Sequence, residues 1–302
     1  MRDAILHRPR DRRGGDPGAR TLILCSHGTR SPQGQRAVAR LADAVAARLA
    51  GVEVRPAFVD VQEPHVDTAV AALGPFHGSP AAAGAGAGTE YDTVLVPALL
   101  STGYHVKTDL ARAAGLRPGI RVAPPLGPDA RLTGLLVRRL AAAAGGRPSP
   151  GDAVIMAGAG SSDPEAARAL AVAAADLADR IGHPVSPGNA AGGQPRVTDL
   201  VALARERGAT RVIVVSYLLA PGFFADRLAG CGASAVTDPL LSPDRTPAEL
   251  IDLVLERAGM VPTPDARAPV GQVPDRGDRM GAHRIEPPQV SQIIRSNSGF
   301  SD

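Results

Sequence analysis

Two rhythms alternate along the chain. Short, nearly continuous apolar runs read as strands: TLILCS at 21–26, VEVRPAFVD at 52–60, YDTVLVPALL at 91–100 and IRVAPPLG at 120–127. Between them, apolar residues recur every third or fourth position. GQRAVARLADAVAARLAG at 34–51 places Val38, Leu41, Val45 and Leu49 on one helical face. EPHVDTAVAAL at 63–73 predicts a second helix with Pro64 near its first turn. VKTDLARAAG at 106–115 predicts a short third helix, and DARLTGLLVRRLAAAAGG at 129–146 a long fourth, closed by glycines. Apolar strands separated by amphipathic helices predict a parallel sheet covered by helices.

The pattern then restarts. DAVIMAGAGSSD repeats TLILCSHGTRSP, and DPEAARALAVAAADLADRIG repeats the first helix. RVIVVSYLLAPGFFADRL repeats TVLVPALLSTGYHVKTDL, ASAVTDPLL repeats IRVAPPLGP, and PAELIDLVLERAG repeats the last helix. Two tandem α/β units follow, over 21–146 and 151–260, joined by a linker near 147–152. The fold class is therefore α/β, with two tandem flavodoxin-like domains, each a parallel sheet flanked by helices. The segments 1–20 and 261–302 lack periodicity and are expected to be disordered tails. AAAGAGAG at 81–88 reads as a low-complexity loop.

Charge refines this picture. The formal net charge is +3 and the pI about 9.3. Residues 1–20 hold six Arg against three Asp, whereas 21–260 hold 22 basic and 22 acidic residues. The basic balance belongs to the N-terminal segment, so no nucleic-acid partner is expected. Cys25 and Cys231 are too few for a disulfide framework, which sets a cytoplasmic expectation. No apolar run reaches a membrane-spanning length, so no membrane partner is expected either.

Candidate chemistry sits at the ends of the first and third strands. His27 and His105 both follow apolar runs, and in an open parallel sheet ligands bind beyond the carboxyl ends of the strands. Aligning ILCSHGTRS with IMAGAGSSD sets His27 opposite Ala159. Aligning LLSTGYH with LLAPGFF sets His105 opposite Phe224. Both imidazoles belong to the first copy alone. Imidazole is the commonest metal ligand and a proton carrier near neutral pH, and two histidines leave coordination positions open. Gly28 and Gly103 allow close approach to a flat ligand or serve turn geometry. Cys25 reads as a small core residue. Ser161 precedes a helix that Ser162 or Asp163 caps, and is a candidate for binding a carboxylate.

The segments SHGTRSPQGQ, RPAFVDVQEP and VPALLSTGYHVKTDL resemble the sirohydrochlorin chelatase family, the class II tetrapyrrole chelatases, in its long two-copy form. The matching positions are His27-Gly28-Thr29-Arg30, Asp60 with Pro64, and Gly103-Tyr104-His105 with Asp109. The resemblance covers about 21–260. It implies a lyase, EC 4.99.1.-, that inserts Fe²⁺ or Co²⁺ into sirohydrochlorin, toward siroheme or cobalamin. It implies metal held by His27 and His105, catalysis by His27, His105 and Asp60, and no permanently bound cofactor. Asp60 stands where the family carries Glu, so it serves in acid/base chemistry or as a helix cap. Arg30 is a candidate fork for a substrate carboxylate or an ordinary surface ion pair, and Lys107 reads as a solvated residue. His65 is a candidate secondary ligand. Two fused copies supply both walls of a cleft, so a monomer is expected. The competing readings are a non-catalytic tetrapyrrole or metal carrier and a flavodoxin-type phosphate-ligand protein.

Overall fold

The computed structural model describes residues 21–76, 91–101 and 103–260, with only the backbone of Tyr104 and His105. The tails and the 81–88 loop lie outside the described residues. The first copy runs β1 (Thr21–Ser26), α1 (Pro32–Ala46), β2 (Glu53–Phe58), α2 (Val66–Ala71), β3 (Thr93–Pro97), α3 (Tyr104–Gly115), β4 (Ile120–Val122) and α4 (Ala130–Ala144). The second runs β5 (Asp152–Gly158), α5 (Pro164–Ile181), β6 (Val185–Asn189), α6 (Val197–Glu206), β7 (Arg211–Ser216), α7 (Phe223–Ala229), β8 (Ala235–Val236) and α8 (Ala248–Ala258). Each copy forms one four-stranded parallel sheet, ordered β2-β1-β3-β4 and β6-β5-β7-β8. The matching order is the structural form of the sequence repeat.

Local chemistry fixes the helix ends. Ser31 caps α1 by accepting the Gly34 N–H, with Pro32 in the first turn. Asp129 caps α4 and Asp163 caps α5. α4, α5 and α8 all close on glycines in left-handed backbone, at φ 70°, 62° and 67°.

Alternate residues of each strand serve different layers. Ile23, Cys25 and Leu95 face α2 and α3 in one outer layer. Ile155, Ala157, Val212 and Val214 face α6 and α7 in the other. The opposite faces meet a shared core between the sheets. Leu22, Leu24, Val94 and Val96 from one sheet and Val154, Met156, Ile213 and Val215 from the other join Leu41, Leu136, Leu177 and Leu253 in one apolar cluster. Within it the copies exchange their last helices. α4 packs on β7 and β8 of the second sheet, and α8 packs on β3 of the first. A polar seam ties this exchange: Arg257 bonds Asp129 at 3.1 Å and the Pro125 carbonyl at 3.0 Å, and Arg131 bonds Glu256 at 2.7 Å.

Three features differ from the sequence reading. Pro64 lies before α2, its carbonyl accepting the Phe58 N–H at 3.0 Å, and His65 takes the N-cap position. β3 stops at Pro97, and α3 starts two residues earlier than its periodicity suggests, so His105 lies in the first turn of α3 rather than directly after a strand. β6 and α6 emerge from a stretch whose Pro and Gly residues hide the strand. Among the described residues, no helix is long and apolar enough to cross a membrane.

Candidate functional site

β1 lies between β2 and β3, so the chain leaves β1 toward one side and returns on the other. That reversal is a topological switch point at the carboxyl ends of β1 and β3, the place where open α/β sheets bind ligands. His27 is the first residue after β1. His105 is the second residue of α3, the helix that follows β3. The strands that deliver the two histidines are hydrogen-bonded neighbours, with Cys25 opposite Pro97.

Backbone contacts hold the His27 loop in place. The His27 carbonyl accepts the Asp60 N–H at 3.0 Å, and the Ser26 carbonyl accepts that of Val59 at 2.9 Å. Gly28 adopts φ 95°, and a Cβ there would lie 2.0 Å from the Asp60 carbonyl oxygen. Only glycine tolerates both conditions, so the Asp60 loop itself accounts for Gly28. The second copy repeats the crossing at Gly160, φ 105°, against the Ala191 carbonyl. The His27 imidazole is exposed and makes no hydrogen bond among the described residues.

The Asp60 turn is built differently from its counterpart. Asp60 Oδ1 accepts the Val61 N–H at 2.7 Å, and its carbonyl accepts the Gln62 N–H at 2.8 Å. Asp60 therefore closes its own turn and caps no helix. Val61 occupies left-handed backbone at φ 69°, the one non-glycine residue at positive φ among the described residues. Gln62 reaches back, its Oε1 accepting the Thr29 N–H at 2.8 Å. The second copy has Gly192 and Gly193 at these two positions. Sequence reasoning missed Gln62; the signal was available in DVQEP laid against AGGQP.

Contacts between the copies complete the floor. The Cβ position of Gly103 lies 3.5 Å from Ser161 Oγ and Asp163 Oδ2. That of Gly222 lies 2.7 Å from Thr29 Oγ1, and that of Gly34 lies 2.2 Å from the Pro221 carbonyl oxygen. Each copy's first strand-end loop thus meets the other's third, in a pseudo-two-fold arrangement. Gly103 has ordinary backbone at φ −75°, so turn geometry does not demand glycine there. Ser161 Oγ accepts the Asp163 N–H at 3.0 Å, and Asp163, not Ser162, caps α5.

The remaining candidates fall as follows. Arg30 is exposed and forms no ion pair among the described residues. Lys107 pairs with Glu165 of the second copy. Asp109 bonds Arg112 at 3.3 Å, and Arg112 also bonds Asp67, tying α3 to α2. His65 lies 3.6 Å from Glu63. Cys25 is fully buried, and desolvation pushes its thiol up to about 12, which suits a core residue and not a metal ligand. Where the first copy carries His27, the second packs Ala159 against its outer core, and Phe224 packs there in place of His105.

Two parallel sheets of matching strand order packed over one shared core define a chelatase-like α/β protein with two tandem domains. The chain belongs to the CbiX family, whose family model matches residues 21–143 and 153–230. Solved structures share the fold. The sirohydrochlorin chelatase SirB from Bacillus subtilis subspecies spizizenii, in complex with cobalt, is 20% identical with a TM-score of 0.58, covering 80% of this chain and 94% of that one. SirB from Bacillus subtilis with Fe³⁺ is 20% identical with a TM-score of 0.61 over the same shares. CbiX, the terminal enzyme of siroheme biosynthesis in denitrifying bacteria, is 19% identical with a TM-score of 0.54, covering 78% of this chain and 99% of that one. No curated protein matches the chain.

Proposed function

We propose that this protein inserts a divalent metal, Fe²⁺ or Co²⁺, into sirohydrochlorin. The observation that carries the reading is the asymmetry of the repeat. Two copies of one fold present the same strand-end positions, yet the first offers His27 and His105 while the second fills them with Ala159 and Phe224. Structural need alone would treat both copies alike. The solved SirB chains that share the fold hold cobalt and Fe³⁺, which supports the same metals as substrates here.

In this reading the metal is a substrate, not a resident cofactor. His27 and His105 hold it at the switch point through neutral imidazole nitrogens. The macrocycle lies across the floor between the copies. As the metal bonds the ring nitrogens, two pyrrole N–H protons leave, and the imidazoles, with Asp60, accept and pass them to solvent. Arg30, unpaired among the described residues, meets a peripheral carboxylate of the substrate. Gly28, Gly103 and Ser161 shape the floor without charge. The protein acts as a cytoplasmic monomer, since one chain supplies both walls.

The test is anaerobic turnover. Protein at catalytic concentration is mixed with sirohydrochlorin and Fe²⁺ or Co²⁺, and the visible spectrum is followed against a protein-free blank. Multiple turnovers are expected, falling at least about a hundredfold in His27→Ala and in His105→Ala. The faster metal indicates the pathway. Insertion limited to one equivalent per chain would replace the enzyme with a carrier.

A further inference from the structure

Aromatic side chains are scarce in this protein: three Tyr, five Phe and no Trp. One of them stands in the open. Phe223, the first residue of α7, is 63% exposed, the most exposed of the large apolar residues described. Its neighbour Phe224 turns down against the second copy's outer core. The two rings meet edge to face, 5.3 Å apart at 74°.

The position of Phe223 is set from the first copy. The loop before it docks on the start of α1: Gly34 leaves room for the Pro221 carbonyl, and Gly222, at φ 151°, leaves room for the Thr29 hydroxyl. A side chain at either glycine would clash with backbone or with Thr29. Phe223 is thus the residue next to the Gly222–Thr29 contact with the first copy's His27–Arg30 loop. Arg227, one turn along α7, lies 5.6 Å over the Phe223 ring, and its Nε donates to the Ala190 carbonyl at 3.2 Å. The terminal amino groups of that guanidinium have no partner among the described residues.

We infer that Phe223 and Arg227 form the second copy's share of the substrate site, a stacking face for the flat macrocycle with a cation for one of its peripheral carboxylates. The inference rests on the proposed function and deepens it. The second copy has no histidines at these positions yet carries a largely exposed aromatic ring one residue from its Gly222 contact with the first copy's His27–Arg30 loop. An exposed aromatic ring offers an apolar face on which a flat ring can stack, and a guanidinium stacked on that ring is placed to bind an anion at its edge. Phe223 and Arg227 are binding residues in this account; the proton and metal steps stay with the first copy.

The experiment separates binding from insertion. Metal-free sirohydrochlorin is titrated into the full chain and its visible absorbance shift gives Kd; Co²⁺ binding is measured separately. Phe223→Ala is expected to weaken macrocycle binding about tenfold, with Co²⁺ binding unchanged, and Phe223→Tyr to restore it. Arg227→Gln is expected to weaken it about fivefold. His27→Ala is expected to bind the macrocycle as the parent does while losing turnover. A parent that inserts metal, with Phe223→Ala and Arg227→Gln binding the macrocycle at unchanged Kd, overturns this inference alone. A parent that neither binds nor metallates sirohydrochlorin overturns the proposed function, and this inference with it.

Discussion

Val61 combines a β-branched side chain with left-handed backbone at φ 69°, between Asp60 and Gln62, whose side chain bonds Thr29. Such a residue carries strain of about 1–2 kcal/mol. It is 40% exposed, so its side chain contributes little burial. Val61→Gly should therefore raise stability by about 0.5–1 kcal/mol, the relieved strain exceeding the freedom glycine adds to the unfolded chain. A denaturant melt checks this; a lower midpoint would show that the backbone there is unstrained. The histidines stood out in the sequence as candidates because the repeat supplied an internal comparison. The strain at Val61 was not, since φ depends on the Gly28–Asp60 crossing, which joins residues 32 positions apart. His105 was legible as a candidate but misplaced, because the α3 start at Tyr104 carries no capping side chain to announce it.

α4 depends on its N-cap, Asp129. The side chain of Asp129 accepts from the Arg131 N–H and guanidinium, each at 2.9 Å, and from Arg257 of α8 at 3.1 Å. Arg131 above all, then Arg257, holds this carboxyl down at about 2, against an ordinary 3.8. The unfolded chain takes up that proton first as pH falls. The stabilisation is thus fully present above about pH 4–5 and is lost as pH falls toward 2, amounting to about 1–2 kcal/mol after solvent screening. Asp129→Asn should flatten the acid limb of a stability–pH curve over that window, lowering stability by about 1–2 kcal/mol at neutral and higher pH and changing little near pH 2. An unchanged acid limb would place the sensitivity elsewhere. Helix and strand periods announced α1, α4, α5, β1 and β7, whose buried faces are continuous. They did not announce β6, whose VSPGN sequence offers neither alternation nor branched side chains after its first residue. Nor does an amphipathic stripe say which sheet it will cover, so the crossing of α4 and α8 was invisible until the tertiary packing appeared.

At the scale of the molecule, one core is filled from both halves. Leu136 of α4 and Leu253 of α8 are fully buried in it. Leu136→Ala should cost about 2–5 kcal/mol and lower the unfolding temperature of a single transition, rather than splitting it in two; two separated transitions would refute a common core. A piece ending at 146 would carry α4 with no sheet to cover and leave β3 without α8, so neither 21–146 nor 151–260 should give a folded spectrum alone. Mixed together, they have every contact of the shared core. The four residues 147–150 then act less as structure than as a tether, holding two complementary chains at an effective concentration in the millimolar range, to order of magnitude. Dilution becomes the variable: a chain cut at this tether should recover its helical spectrum and turnover when the pieces are concentrated, and lose both when they are diluted.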